Sequence, residues 1–352
     1  MRPIEVGILG GTGMVGQHFI RFLQGHPWFK LAWLGASDRS AGKKLSEAAA
    51  WRLEGEVPQS AAQLTVWESK PGSAPQLVFS AMDASVAYEI EREFAQAGHV
   101  VVSNSRNHRM ECDVPLIVPE INPGHLSIIP VQQKNRGWKG MIVTNSNCST
   151  IVLTLALAPL KQFGIERILA ATMQAVSGSG YPGVPSMDII GNVVPFIGSE
   201  EEKMQQETQK ILGDVTGNQF RPLNARVSAH CNRVAVVDGH TVAASVELSR
   251  KPALGNLLDD VIEAITTFRG IPQERNLPSA PARPVIYMPQ QDRPQPRRDV
   301  GRENGMAVFV GRLRECPVLD LKFVACGHNA IRGAAGAAVL NAELMVSEGL
   351  IG

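Results

Sequence analysis

The sequence predicts an α/β protein with an N-terminal parallel sheet and a second α+β domain containing a mixed sheet. Over the first 150 residues, short apolar runs alternate with helical patterns, which is typical of parallel strands joined by right-handed crossovers. A glycine-rich turn directly follows the first apolar run. After about residue 150, longer strand-like segments rich in β-branched residues are separated by polar stretches, which indicates a different architecture.

The predicted elements follow from this alternation in chain order. In the first domain we expect helices at residues 17–24 and 88–97, and strands at residues 4–9, 31–36, 77–80, 100–103, 114–118 and 141–144. In the second domain we expect strands at residues 167–176, 241–248, 306–313 and 321–326, followed by a long C-terminal helix at 331–348. Residues 278–296 contain six prolines in 19 positions, which predicts a surface arm of polyproline-like conformation.

Composition excludes several classes of protein. The 352 residues carry 34 Lys and Arg against 33 Asp and Glu, for a net charge of +1, so neither a nucleic-acid binder nor a protein held on an anionic membrane is expected. The five cysteines are scattered without a CxxC pair, which disfavours a disulfide scaffold or a structural zinc site and favours reduced thiols in the cytoplasm. The longest strongly apolar run, 151–160, is about half of a membrane span, and residues 1–5 do not resemble a signal peptide.

The glycine-rich turn has the spacing of a dinucleotide-binding loop. Gly11, Gly13 and Gly16 follow a strand and open a helix, so the backbone can turn tightly and present free N–H groups to a pyrophosphate. This predicts a Rossmann-type domain, with a glycine-rich turn in some other α/β protein as the alternative.

The segment after the second strand bears on the choice between NAD and NADP. Two hydroxyls, Ser37 and Ser40, and two cations, Arg39 and Lys43, can bind a 2′-phosphate, whereas Asp38 would repel it. The balance favours NADP, mixed NAD and NADP use stays open, and these charges could instead belong to a solvated loop.

Cys148 stands where a helix is expected to begin. Ser146 or Asn147 can cap that helix, and a thiol in its first turn would have a lowered pKa and attack as a thiolate. A thiolate beside a nicotinamide site points to acyl transfer followed by reduction of a thioester by hydride. A structural role for this cysteine remains the alternative.

A family resemblance extends over essentially the whole chain. The sequence resembles the aspartate-β-semialdehyde dehydrogenases, in the branch found in archaea, fungi and some bacteria. The motifs that carry the resemblance are those at residues 10–16, 36–43, 103–104, 107–110, 146–150, 174–183, 198–203, 232–234, 238–241 and 328–338.

The resemblance implies the catalytic roles. Cys148 would be the nucleophile, His240 the general acid/base, and Gln174 would orient the reacting group. Asn329 would lie near the nicotinamide, so the C-terminal helix would return to the first domain. The implied boundaries are a nucleotide domain at 1–147, completed by a helix at about 328–352, and a catalytic and dimerisation domain at 148–327.

The resemblance also implies the binding residues. Arg233 would hold the substrate carboxylate, Glu200 the ammonium, and Arg109 and Lys203 the phosphate, with Asn147 beside them. The residues assigned to the cofactor are Gly11, Thr12, Gly13, Met14, Val15, Gly16, Ser37, Arg39, Ser40, Lys43, Ser80, Ser103, Asn104, Ser177, Gly178 and Asn329.

Without the family, these residues have plainer interpretations. Arg233 and His240 would be a surface charge and a loop histidine, and Glu200 and Lys203 would belong to the solvated face of a helix at 200–212. A metal site at residues 230, 231 and 240 lacks a recognised ligand spacing, so no metal is expected.

The implied activity is the reversible, NADPH-dependent reduction of L-β-aspartyl phosphate to L-aspartate 4-semialdehyde and phosphate. Lysine, diaminopimelate, threonine, methionine and isoleucine are made from that product. The implied assembly is a homodimer or homotetramer. Two enzymes remain alternatives, a malonyl-CoA reductase of the same fold and, more distantly, an N-acetylglutamyl-phosphate reductase, as does a non-catalytic nucleotide-binding sensor.

Overall fold

The structure, a computed structural model, describes residues 3–250 and 257–352. Seven parallel strands form the first sheet, in the order β3-β2-β1-β4-β5-β7-β6. These strands are β1 Ile4–Leu9, β2 Phe29–Ala36, β3 Val66–Glu68, β4 Leu77–Ser80, β5 Val100–Ser103, β6 Leu116–Ile117 and β7 Met141–Asn145. The central strands β4, β5 and β7 are buried at every residue, as expected for a parallel sheet covered on both faces.

Helices flank this sheet. They are α1 Met14–Phe22, α2 Leu45–Ala48, α3 Gln59–Ala62, α4 Ala84–Gln96 and α5 Ile129–Arg136. The strands expected at 4–9, 77–80 and 100–103 have the predicted bounds, while the helix expected at 17–24 begins and ends earlier. The short edge strand β3 was not predicted, because three residues give too little periodicity to detect.

A six-stranded mixed sheet forms the second layer, in the order β11-β8-β12-β15-β14-β13. Its strands are β8 Ile165–Gln174, β11 Arg226–Arg233, β12 His240–Leu248, β13 Val285–Met288, β14 Val308–Glu315 and β15 Leu321–Gly327, and a separate hairpin consists of β9 Asp214–Thr216 and β10 Gln219–Arg221. Strands β8 and β11 pair in parallel, and β12 pairs antiparallel with both β8 and β15. This pairing brings the ends of β8, β11 and β12 together.

The proline-rich stretch differs from the prediction. Instead of a surface arm, residues 278–296 contain β13, which pairs in parallel with β14 at the sheet edge and buries Val285 and Met288. Four consecutive apolar residues lie between the prolines, and an edge strand tolerates prolines at its ends. The high proline content of this stretch therefore led to the wrong prediction of a surface arm in place of a strand.

The remaining helices are α6 Cys148–Leu157, α7 Ser186–Ile189, α8 Glu200–Leu212, α9 Leu257–Thr267, α10 Ile271–Glu274, α11 Pro296–Asp299 and α12 Gly336–Ser347. Helix α6 is buried from Ser149 to its end and contacts β12 and α8. The predicted C-terminal helix is interrupted, because a π-helical turn, Ile331–Ala335, precedes α12. Helix α12 packs against β5 and β7 of the first sheet, so the predicted fold class, including the returning C-terminal helix, is confirmed.

Within the described residues, no helix is long and apolar enough to cross a membrane. All five cysteines are in the described part of the chain, and each is a free thiol.

Candidate active site

The loop between β1 and α1 is shaped by glycine. Gly10 has φ +77°, and a Cβ at Gly16 would lie 2.3 Å from the carbonyl oxygen of Gly10 and 2.7 Å from the Cα of Gly11. Gly13 caps α1 without a side-chain bond, so the N–H groups of the first turn stay open to an anion. This loop has the form of a pyrophosphate cradle.

A cleft of about 550 Å³ opens beside this loop, at the carboxyl ends of the strands. Its lining consists of Gly10, Thr12, Gly13, Ala36, Ser37, Asp38, Glu68, Ser69, Lys70, Ala81, Met82, Asp83, Val86 and Ile90. The predicted cofactor residues Thr12, Gly13 and Ser37 are therefore at the cleft. The lining after β3 was missed because β3 was not recognised in the sequence, and the lining after β4 was missed although β4 itself was predicted.

Other predicted cofactor residues lie outside the lining. The ammonium group of Lys43 donates to the carbonyl of Arg39 at 3.0 Å, which ties together the loop after β2. Ser80 is fully buried, and the Ser103 hydroxyl donates to the buried carboxylate of Glu91 at 2.7 Å. The Ser103 hydroxyl therefore bonds within the protein interior and does not line the cleft.

Cys148 is the first residue of α6 and contacts the imidazole of His240, the first residue of β12. The two atoms, Sγ and Nε2, are 3.1 Å apart. Asn147 caps the helix by accepting the N–H groups of Ser149 and Thr150, at 3.0 and 3.1 Å. The cap and the strand pairing together place a thiol against an imidazole that is 92 residues away in sequence.

Hydrogen bonding defines the proton position on His240. The N–H of Ala175 donates to Nδ1 at 3.1 Å, so the neutral ring carries its proton on Nε2 and points it at the sulfur. Complete burial, assisted by the nearby Arg233 charge, lowers the pKa of His240 to about 3. The imidazole is therefore a neutral donor toward Cys148.

The predicted lowering of the thiol pKa at the helix start is wrong. Burial, assisted by the Glu200 carboxylate, raises the pKa of Cys148 to about 12. The charges of Arg109 and Arg233 act in the opposite direction but do not outweigh burial. Desolvation of the sulfur is thus larger than the effect of the helix terminus.

Glu200 is the centre of a buried polar cluster. Its carboxylate accepts from the side-chain amide of Asn147 at 2.9 Å and from the ammonium of Lys203 at 2.9 Å, and the Gln174 amide donates to it at 3.3 Å. Burial opposes ionisation, but the Lys203 charge and these hydrogen bonds outweigh it and lower the pKa of Glu200. A fixed negative charge therefore lies beside the start of α6.

Two buried arginines face the same region. Arg233 is 6% exposed and donates to the carbonyl of Ala175 at 2.7 Å. Arg109 is 7% exposed and donates through Nη1 to Glu207 at 2.9 Å and through Nη2 to the carbonyl of Asn104 at 2.7 Å. Both guanidinium groups keep further N–H donors, so the pocket is built to receive anionic groups.

The loop after β8 closes the pocket. A Cβ at Gly178 would lie 2.8 Å from Nη1 of Arg233 and 2.9 Å from Cε1 of His240, so this loop passes directly over both side chains. The amide of Asn329 donates to the Ser177 hydroxyl at 2.8 Å and accepts from the N–H of Gly239 at 2.8 Å. Asn329 thereby ties the loop to the start of β12.

The comparisons with known proteins agree with this geometry. Residues 5–129 match the family described as semialdehyde dehydrogenase, NAD binding domain, and residues 157–332 match semialdehyde dehydrogenase, dimerisation domain. The aspartate-semialdehyde dehydrogenase of Methanothermobacter thermautotrophicus is 51% identical to this chain over 97% of the chain and 99% of the relative. That of Saccharomyces cerevisiae is 44% identical over 98% of each.

This chain belongs to the aspartate-semialdehyde dehydrogenase family. The resemblance found in the sequence is confirmed. A crystal structure of the Candida albicans aspartate semialdehyde dehydrogenase with NADP superposes with a TM-score of 0.92 at 42% identity, covering 99% of this chain and all of that one. Aspartate semialdehyde dehydrogenase II from Vibrio cholerae, complexed with ASA, has a TM-score of 0.77 at 27% identity and covers 99% of each chain.

The plainer interpretations of several residues are wrong in this family member. Arg233 and His240 are 6% and 0% exposed, so they are not a surface charge and a loop histidine. Glu200, also 6% exposed, does not belong to a solvated helix face. Each of these side chains is buried in the same pocket as Cys148.

Sequence reasoning missed three features that support the pocket. Glu207 and Lys210 continue the face of α8 that carries Glu200 and Lys203, and their spacing of three and four residues was a usable signal. A Cβ at Gly333, in the π-helical turn, would lie 2.6 Å from the Cβ of Cys148. Glycine inside a helical pattern signals such a close approach.

Proposed function

We propose that this chain is an NADP-dependent aspartate-semialdehyde dehydrogenase. It reduces L-β-aspartyl phosphate to L-aspartate 4-semialdehyde with release of phosphate, and it catalyses the reverse reaction. The observation that carries this proposal is the 3.1 Å contact between Cys148 Sγ and His240 Nε2 in a pocket with two buried arginines. Supply of the semialdehyde for lysine, diaminopimelate, threonine, methionine and isoleucine follows from this activity.

The chain's own residues perform the acyl-transfer steps. The sulfur of Cys148 attacks the acyl carbon, and the thiol proton passes to the phosphate as the bond between that carbon and the phosphate oxygen breaks. The resulting thioester divides one difficult reduction into two easier steps. His240 holds its proton on Nε2 beside the sulfur, so it is placed to protonate the oxygen that becomes negative as the tetrahedral centre forms. When bound, NADPH supplies the hydride.

Opposite charges select the substrate. Arg233 presents a planar fork to the α-carboxylate, and Glu200 attracts the ammonium group. Arg109 and Lys203 hold the phosphoryl oxygens, which anchors the phosphate and makes it a better leaving group. Asn147 and Gln174 hold Glu200 in place through their amides.

The first domain holds the nucleotide. The loop from Gly11 through Thr12, Gly13, Met14 and Val15 to Gly16 fits a pyrophosphate, since a side chain at Gly16 would fill the turn and the helix start offers free N–H groups. Ser37, Arg39, Ser40 and Lys43 select the 2′-phosphate of NADP. Asp38, in the cleft lining, weakens that selection, so some use of NAD is retained. Ser177, Gly178, Asn329 and Asn104 would hold the nicotinamide end, and Ser80 and Ser103 would support this part of the site from the protein interior.

Residues 148–327 form the catalytic and dimerisation domain, and residues 1–147 with the C-terminal segment form the nucleotide domain. On the exposed face of the second sheet, Leu169 and Met173 of β8 are half-exposed. The neighbouring segment exposes Met187 at 88%, Ile190 at 72% and Phe196 at 74%. A second copy of the chain covers this apolar surface in a homodimer, which can pair into a tetramer. The free thiols suit the cytoplasm.

The direct test is reduction of NADP with aspartate semialdehyde, run with and without inorganic phosphate. We expect turnover that requires phosphate and falls by a factor on the order of 10³ or more in Cys148→Ala. Phosphate-independent activity, or a preference for reducing a CoA thioester over aspartyl phosphate, would show that the enzyme acts on a different substrate from the one proposed. Near-normal activity of Cys148→Ala would overturn the mechanism.

A further inference from the structure

Helix α8 carries a charged residue on the same face at four positions, 200, 203, 207 and 210. The first two belong to the pocket already described. Glu207 is 1% exposed and lies about two turns beyond Glu200. A carboxylate in such a dry place is costly unless every oxygen has a donor.

The two oxygens of Glu207 accept from two different parts of the site. Oε1 accepts from Nη1 of Arg109 at 2.9 Å. Oε2 accepts from the backbone N–H of Asn147 at 2.7 Å. Arg109 lies in the loop after β5, whereas Asn147 immediately precedes Cys148, so one carboxylate joins the anion-binding guanidinium to the peptide that carries the nucleophile.

We propose that Glu207 is a positioning residue of the reaction, which fixes Arg109 relative to Cys148 by holding the Arg109 guanidinium and the Asn147 peptide at once. This inference rests on the proposed function only for the identity of the anion, which is phosphate. The contacts of Glu207 with Arg109 and Asn147 do not depend on which substrate binds.

The side chain of Lys210, one turn further along α8, holds the backbone of the same loop. Its ammonium donates to the carbonyls of Arg109, Glu111 and Val114 at 2.7, 2.9 and 2.8 Å. The side chain and the main chain of Arg109 are thus both tied to α8. With Nη1 held by Glu207 and Nη2 by Asn104, the Nε–H of Arg109 is buried without a protein partner and remains for the ligand.

The role requires a carboxylate, because both of its partners are donors. Glutamine has the same shape but a single acceptor oxygen, and its NH₂ group would face either Arg109 or the N–H of Asn147. Aspartate keeps both acceptor oxygens on a shorter arm. The series Glu207→Gln and Glu207→Asp therefore separates the loss of an acceptor from a change of length.

The control is Glu202→Gln, the same substitution at an exposed position of the same helix. We expect Glu207→Gln to lower kcat/KM for phosphate by about tenfold or more relative to this control, with the KM for NADP unchanged. Glu207→Asp should lie between the two. A purely structural role would lower the melting temperature and the fraction of active sites but would leave kcat/KM per titrated Cys148 unchanged.

A second measurement needs no turnover. The Arg109 charge favours the Cys148 thiolate, so its displacement should slow alkylation of Cys148 by iodoacetamide at neutral pH by about threefold in Glu207→Gln. If the wild type fails to oxidise aspartate semialdehyde, the proposed function fails, and the alkylation rates still decide the role of Glu207. Equal kcat/KM for phosphate and equal alkylation rates in Glu207→Gln and Glu202→Gln would overturn the positioning role.

Discussion

The cofactor cleft and the catalytic pocket are built in different ways. The cleft is a feature of the backbone, since one strand, one turn and one helix within residues 4–22 create its pyrophosphate cradle. The pocket is assembled from buried side chains of β8, β11, β12, α6 and α8 and of the loop after β5, which are spread over more than 130 residues. Local sequence is therefore sufficient for the pyrophosphate cradle, whereas the catalytic pocket exists only in the folded protein.

The two sites also differ in electrostatics. The cleft remains open, and its donors are peptide N–H groups that need no counter-charge. In the pocket, Arg109, Glu207 and Glu200 are each under 8% exposed, so each charge depends on its neighbours. Removing one member of such a buried pair typically costs about 3–5 kcal/mol, because the partner is left uncompensated. Substitutions should therefore act locally in the cleft and cooperatively in the pocket.

Among substitutions that leave Cys148 itself in place, the largest effect is expected for Gly333→Ala, which tests the pocket without altering any charge. The added Cβ would lie 2.6 Å from the Cβ of Cys148, so the nucleophile or the π-helical turn must shift. A displacement of about 1 Å at the reacting atoms can lower kcat by about 100-fold. Steady-state assays together with NADP titration would measure this, and we expect the affinity for NADP to change by less than about twofold.

The matched control for Gly333→Ala is Gly301→Ala, where the added Cβ would meet nothing within 4 Å. We expect this variant to behave as wild type. A normal kcat in Gly333→Ala would show that the turn can move away from Cys148 without consequence, so that the close packing of Gly333 against Cys148 does not affect catalysis.

Next in size is Arg233→Lys. A lysine keeps the positive charge but loses the planar fork and the donation to the Ala175 carbonyl. We expect kcat/KM for aspartate semialdehyde to fall by about thirtyfold, equivalent to about 2 kcal/mol, with little change in the KM for phosphate. An equal loss for both substrates would mean that Arg233 contributes only to the overall positive charge of the pocket and does not bind the substrate carboxylate specifically.

This difference between the sites explains what the sequence could predict. The strand, turn and helix at 4–22 follow from apolar periodicity and glycine spacing, and the strand bounds at 4–9 and 77–80 are the observed ones. Burial of Arg233 and His240 could not be inferred from local pattern, because it depends on the pairing of β11 and β12 with β8. Only the family resemblance brought those two residues into the site.

The pKa of Cys148 is a second property that local sequence could not predict. Sequence reveals a capped helix start, which favours a thiolate, but not the desolvation that raises the thiol pKa to about 12. Similarly, β13 lies within a proline-rich stretch, and only its pairing with β14 identifies it as a strand. Properties set by burial and by strand pairing are thus the ones that local sequence leaves open.

A smaller effect, confined to the cleft, is expected for Gly16→Ala. The new Cβ would approach the Gly10 carbonyl oxygen to 2.3 Å, so the loop must widen and the pyrophosphate cradle changes shape. We expect the Kd for NADP to rise by about tenfold, while alkylation of Cys148 proceeds at the wild-type rate. Gly124→Ala, with no neighbour within 4 Å, is the control in the same domain. A changed alkylation rate in Gly16→Ala would mean that the two sites are coupled.

The smallest effect concerns stability in acid, away from both sites. His125 is 2% exposed, its Nδ1 accepts from the Asn122 amide at 3.1 Å, and its Nε2 donates to the Gly213 carbonyl at 3.2 Å. Burial, assisted by the Lys210 charge and opposed by the Gly213 bond, lowers its pKa to about 4. Between about pH 4 and 6.5, the ring therefore stays neutral in the native protein. In the unfolded chain, the ring has its ordinary pKa of 6.5 and takes up a proton in this range.

Because the unfolded chain binds more protons between these two pKa values, the free energy of unfolding must fall as the pH is lowered from about 6.5 toward 4. Between pH 7 and 5.5 this histidine alone should account for about 1 kcal/mol. Urea titrations at the two pH values should therefore show a smaller pH-dependent loss in His125→Gln than in the wild type. The comparison is between pH values within each variant, so the cost of replacing the ring itself cancels. An equal loss in both proteins would mean that His125 takes up its proton in the native state, at the interface where helix α8 and the β9–β10 hairpin meet the first domain.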